Sequence, residues 1–354
     1  MNTTAQNYTD EFMSAMREQT DAGGDALLNR CFASDEGKSV LRHYLTNLKY
    51  NNQIEQLPEI LQHERLLIEA THLPEWADLK QMKAGSAFFA RYASLIMNML
   101  GLLSLPYCYA AGDGARVLYF SERLRNDVGK RLKETGDFVW QVMAPGAFEP
   151  EGQGFAIVVK VRMMHAMARY YTLQSGQWQS DWGQPVNQED MAGTNLSFSL
   201  LVIRGLRKLD IAVSYEDQQA FMHLWNVVGF LLGLDKSLLP ENGQQAIALE
   251  QAISRRQIKP SEEGRALTKS LTDYITGANL TKGSISAKDT IQLMRFLLGD
   301  EIGDVINLPA GQTPASAINL LKLAGIFQEF KIMPSVSGEY QQQYNQFKKQ
   351  HAGL

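Results

Sequence analysis

Three residues able to do chemistry stand at helical spacing in an otherwise apolar stretch: Arg162, His165 and Arg169 within VRMMHAMARYY, residues 161–171. Imidazole is a metal ligand and a proton carrier near neutral pH, and guanidinium is a permanent planar receptor for anions. At ~100° per residue the three share a face with Val158, Val161, Ala168 and Thr172. The other sides carry Val159, Met163, Met164, Met167, Tyr170 and Tyr171, and only Lys160 is plainly polar. A helix apolar nearly all round is a buried helix. Buried guanidinium groups are costly unless anions meet them, so negative groups are expected opposite this face.

Two sources of that charge are open. Glu189 and Asp190, at the start of the helix after the next loop, would neutralise both arginines. His165 would then be a core histidine bonded to a backbone carbonyl. Alternatively a flat dianionic cofactor lies there: non-covalent haem, with iron on the imidazole and its propionates on the arginines. Ala166 and Ala168 would leave room for the ring, and the methionines would give it a polarizable wall.

Other polar residues in apolar surroundings are candidates too. In SERLRNDVGKRLKETGDFVW, Thr135 falls on the stripe of Leu124, Val128, Leu132 and Val139, with Arg131 beside it. Its hydroxyl either bonds back to a carbonyl one turn earlier or faces a pocket. His223, in FMHLWNVVGFLLG, is the rival iron ligand, its other reading being a core histidine beside Trp225. Glu69 and His72 form half of a di-iron pattern whose second copy the sequence lacks, so the spacing reads as chance. His43, His63 and His351 sit among polar residues and are expected to be exposed. With no GxSxG, phosphate loop or HExxH, hydrolase, NTPase and zinc-protease readings have no support.

The elements that must position these residues are helical throughout. The 354 residues are 45% hydrophobic and 20% charged, a composition that folds. A net charge of -4 speaks against nucleic acid as a partner. Two cysteines, Cys31 and Cys108, exclude a disulfide framework, and the lack of CxxCH excludes covalent haem attachment of the usual kind. MNTTAQNYTDEFM has no basic start and no apolar core, so an intracellular, cytoplasmic protein is expected. Between Tyr92 and Gly112 no residue is charged, but Ser94, Asn98, Gly101, Ser104 and Pro106 interrupt the run. It reads as a core helix, kinked or ended by Pro106, with membrane association as the alternative.

Ser34, Asp35 and Glu36 open a helix to about Tyr50, and Pro58 opens another that stops before Pro74. A long helix from Trp76 to Ala110 follows, then a turn, AAGDGARV, then a helix from about Ser121. Further helices are expected from Gly154 to Leu173, from an Asn187 cap to Arg207, and through AFMHLWNVVGFLLGL up to Pro240. More polar helices come after it, the last being ASAINLLKLAGIFQEF, before a polar tail, EYQQQYNQFKKQHAGL. The expected division is residues 1–75, N-terminal helices; 76–240, the core with the site; and 241–354, a C-terminal helical portion packed on it.

VRMMHAMAR, PVNQEDMAGTNLSFS and HLWNVVGFLLGLDKSLLP, in this order, resemble the latex-clearing rubber oxygenases and MpaB-type oxygenases. The resemblance runs from about Trp76 to Pro240 and more weakly to about Pro309. It implies an all-α fold with a globin-like helical core around a b-type haem. It also implies His165 as proximal iron ligand, Arg162 and Arg169 as its flanking arginines, Thr135 on the distal side and Arg131 near it. Dioxygen and an apolar, isoprenoid-type substrate are the implied reactants, with C=C cleavage as the reaction. The chain departs from the rubber enzymes at Glu134, where they have lysine, and at Ala115, in the turn, where they have a distal glutamate. Those departures, and the missing export signal, suit an intracellular relative with a smaller apolar substrate. Three classes stay open: a haem-dependent oxygenase, a haem-binding carrier or sensor, and a helical scaffold without haem.

Overall fold

The hydrophobic periods are realised as helices in nearly every segment that a computed structural model describes, namely residues 8–120, 127–277, 286–312 and 336–350. In chain order these are α1 (Asp10–Arg17), α2 (Ala22–Phe32), α3 (Asp35–Asn47), α4 (Arg65–Glu69) and α5 (Leu79–Met99). A π-helical stretch, Leu100–Ser104, joins α5 to α6 (Leu105–Ala110), and α7 (Gly112–Phe120), α8 (Val128–Val142) and α9 (Gly154–Gln174) follow. Next come α10 (Gln188–Phe198), α11 (Leu200–Lys208), α12 (Tyr215–Leu231), α13 (Gly243–Gln257) and α14 (Glu262–Gly277). The last are α15 (Ala287–Leu298), α16 (Asp300–Val305) and α17 (Val336–Gln350). The expected all-α class holds: among the described residues the sole β-type pairing is an isolated bridge between Ala111 and Ile258.

The helices begin where capping chemistry puts them. Ser34 Oγ accepts from Gly37 N at 3.0 Å, Asn187 Oδ1 from Asp190 N at 2.9 Å, and Ser214 Oγ from Asp217 N at 3.0 Å. At the centre α5 crosses α12, which buries Phe221, Leu224, Trp225, Val227 and Val228. The two helices approach tightly at Gly85, where a Cβ would lie 2.6 Å from the Ala220 carbonyl oxygen. Leu79–Ala110 is long and apolar enough to cross a membrane, yet 67% of its most apolar window is buried inside the protein, as a core helix requires.

That long segment bends twice, for separate reasons. At Tyr92 (φ -112°, ψ 15°) the helical ladder opens. The carboxamide of Gln343 from α17 fills the gap, donating to Ala90 O at 2.7 Å and accepting from Ser94 N at 3.0 Å. Further on, Pro106 has no N–H to donate, and the wide turn of Leu100–Ser104 accommodates its ring, so the helix runs on to Ala110 instead of ending.

Four expectations change, the simplest being that the helix expected from Asn187 to Arg207 is broken at Ser199 into α10 and α11. PEILQHERLLIEATH folds as a single-turn 3₁₀ segment, Glu59–Leu61, and the short α4, because Leu61 and Leu67 are both buried. Six residues apart, they would point to different faces of one continuous helix. AAGDGARV is mostly helix rather than turn, which places Ala115, fully buried, in α7. Its glycines serve close packing: a Cβ at Gly112 would meet Lys259 at 3.0 Å, and one at Gly114 would meet Asp190 at 3.1 Å. The polar tail is the helix α17, whose Tyr340, Tyr344 and Phe347 lie at i, i+4 and i+7 and pack on Trp140. The segment ASAINLLKLAGIFQEF, Leu124 and His351 lie outside the described residues.

Candidate active site

His165 occupies the middle of α9, a helix that packs against both α2 and α8. Protein encloses the ring, although the residue keeps some accessible surface beside the half-buried row of Ile157, Val161, Met164 and Ala168. Its Nδ1 is buried and has no hydrogen-bond partner. The carbonyl-bonded core histidine expected beside neutralised arginines is therefore not what forms. Burial, together with the positive charges of Arg169 and Arg131, depresses the imidazole from 6.5 to about 4, with Asp21 opposing them. A neutral imidazole with no protein partner is the protonation state a metal needs.

The two arginines meet protein carboxylates, but not the expected ones. Arg162 makes a bidentate pair with Asp21, Nε to Oδ2 at 2.6 Å and Nη2 to Oδ1 at 2.7 Å, and Nη1 points to Leu231 O at 3.3 Å. Arg169 donates from Nε to Asp25 Oδ1 at 2.6 Å and from Nη1 to Val186 O at 3.3 Å. Val186 is held at φ 52°, a strained position for a β-branched residue. One donor is left over: Nη2 of Arg169 is buried without a partner. Ala166 faces α2, 3.7 Å from where a Cβ on Gly24 would be, so it leaves room for a helix rather than a ring.

Glu189 and Asp190 belong to a different network, which ties α1, α7, α10 and α13 together. Arg17 Nη1 donates to Glu189 Oε2 at 3.1 Å and to Asp190 Oδ1 at 2.9 Å. Arg256 Nε donates to Glu189 Oε1 and Gln257 Nε2 to Glu189 Oε2, both at 2.8 Å. Asp113 binds Arg116 and, at 2.6 Å, Lys259. These carboxylates were nearer in sequence to α9, yet Arg17 from α1 and Arg256 from α13 claim them.

Of the remaining candidates, Arg131 and Thr135 are half-buried on α8. Arg131 is near enough to His165 to act on its charge, and it contacts Glu134 at 3.5 Å. Thr135 Oγ1 donates to Arg131 O at 3.0 Å, the local back-bond. His223 is structural: its Nε2 accepts from Asp78 N at 2.9 Å, at the start of α5, and its ring stands edge-on to Trp76. Its Nε2 is thus taken by a backbone donor. Sequence reasoning missed Asp21 and Asp25. Their one local signal is the DAGGD run, with two acids four apart around a glycine pair.

With this geometry, comparison places the chain in a family of oxygenase catalytic domains. The family model described as ER-bound oxygenase mpaB/B'/Rubber oxygenase, catalytic domain, matches residues 79–328, and the chain belongs to that family. It is similar to the rubber oxygenase of Streptomyces sp. (strain K30), with 28% identity over 257 residues, 71% of this chain. It spans 60% of that relative's length. Its fold matches the structure of latex clearing protein LCP in the closed state at a TM-score of 0.75 and 24% identity, over 95% of this chain and 91% of that one.

Proposed function

We propose that this protein is a haem b-dependent oxygenase that acts with dioxygen on a small apolar alkene, isoprenoid in type, and cleaves C=C to carbonyl products. The observation carrying the haem part is His165, a neutral imidazole buried without a hydrogen-bond partner on the family's Arg-x-x-His-x-x-x-Arg helix. The fit is close at the imidazole and partial at the arginines. Asp21 and Asp25 already neutralise them, so their charge no longer calls for a dianion. Arg169 Nη2 is the donor left for one carboxylate arm.

Bound haem would supply an iron centre that activates dioxygen, and the rest is the work of the chain. His165 would hold the iron. The apolar residues of α8 and α9 would exclude water and receive the hydrocarbon. Arg131 keeps positive charge on the same side. The hydroxyl of Thr135 donates its hydrogen bond to Arg131 O, so it would meet a substrate or gas molecule as an acceptor unless it rotates.

A second reading, a haem-binding carrier or sensor, is favoured by Ala115, which offers no base at the position of the family's distal glutamate. Activity separates the two. Hemin-loaded protein is incubated with a panel of isoprenoid alkenes under air and under argon. Carbonyl products that need dioxygen and vanish in His165→Ala are expected; a hemin-loaded protein making none from any alkene would leave the carrier reading in place.

A further inference from the structure

We propose that Asp21 is a positioning residue of the site: it fixes Arg162 one turn from His165 and sets the electrostatic field at the imidazole. This rests on the haem reading above. Asp21 comes from the N-cap of α2, outside residues 79–328 that the family model spans. An aspartate at that position ordinarily caps its own helix, but this side chain makes no cap hydrogen bond and gives both oxygens to Arg162.

The surroundings are shaped to keep it there. Asp21 is 4% exposed. A Cβ on Gly24 would lie 2.5 Å from its Oδ2, and one on Gly233, at φ 92°, would lie 2.6 Å from its Cγ. Gly23 leaves Arg162 Nη2 3.4 Å from where a Cβ would be. Two glycines, Gly24 in the first turn of α2 and Gly233 in the turn after α12, thus clear the space that the carboxylate fills. Arg162 stands one turn before His165 on α9, so the net charge of the Asp21–Arg162 pair bears on the imidazole. Thr20 and Asp25 extend the arrangement: Thr20 Oγ1 donates to Asp25 Oδ2 at 2.7 Å, which steadies the carboxylate that holds Arg169. The N-terminal helices therefore complete the site instead of decorating it.

The test is spectroelectrochemical titration of hemin-loaded wild type, Asp21→Asn, Arg162→Gln and the double variant. Asp21→Asn is isosteric and leaves Arg162 uncompensated, so added positive charge favours the reduced metal and the midpoint potential rises. Arg162→Gln leaves Asp21 uncompensated and the midpoint falls. The double variant, with both charges gone, returns to near the wild-type value. If Asp21→Asn does not fold, Arg162→Gln and the double variant carry the same comparison. Midpoints that agree across the variants while the Soret band persists would overturn this proposal alone. A wild type with no hemin band at all would overturn the haem reading and this proposal with it.

Discussion

Lowering the pH should destabilise the hemin-free protein through His165 in particular. The imidazole sits at about 4 in the folded chain against 6.5 for an ordinary histidine. The unfolded chain therefore binds the extra proton between those values. Stability from this group is fully present above pH ~6.5 and is lost as pH falls toward the folded value. At about 1.4 kcal/mol per unit, that depression amounts to roughly 3 kcal/mol over the whole window. About 2–3 kcal/mol of it is gone by pH ~4.5. Carboxylates titrate in the same range; Glu189, for one, is pushed up by burial while Arg256 and Arg17 pull it back. The comparison must therefore be between wild type and His165→Gln, which keeps a polar side chain that cannot protonate. Urea unfolding at pH 7 and pH 4.5 should show wild type losing about 2–3 kcal/mol more than the variant. Equal losses would mean that the ring is already solvated or bonded, and the argument for a neutral, unpartnered imidazole would fail.

Gln343→Leu should cost about 1–3 kcal/mol, since Ala90 O, buried in the core, loses its acceptor role. Hydrogen exchange should rise at Ser94 and along α17 before it rises elsewhere; unchanged protection there would contradict the clip. Gly85→Ala should destabilise by about 1–3 kcal/mol through overpacking, although alanine normally gains up to ~1 kcal/mol over glycine inside a helix. Its Cβ would press on Ala220 O, and a raised melting temperature would show that the crossing has slack. Glu189→Ala should cost about 3–5 kcal/mol, because Arg17 and Arg256 both lose a partner that is completely buried. An unfolding midpoint near wild type would mean that water replaces the carboxylate.

What could be read from the sequence was what local periodicity and capping determine. The 3.6-residue pattern around His165 located α9 to within a residue of its end, and Ser34 and Asn187 announced their helices. The partners of the arginines were out of reach, because Asp21 lies 141 positions from Arg162 and a nearer acidic pair satisfied the same charge rule. AAGDGARV failed for a related reason. Glycines read locally as a turn, but Gly112 and Gly114 answer to Lys259 and Asp190, which are distant in the chain. The C-terminal helix was masked by its glutamines, one of which mends the kink in α5.

The most direct measurement is the absorption spectrum of the purified protein after reconstitution with hemin. The account predicts a Soret band in wild type, retained in His223→Ala and lost or strongly shifted in His165→Ala. A spectrum in which the His165→Ala band matches wild type, or a protein that takes up no hemin at all, would contradict it.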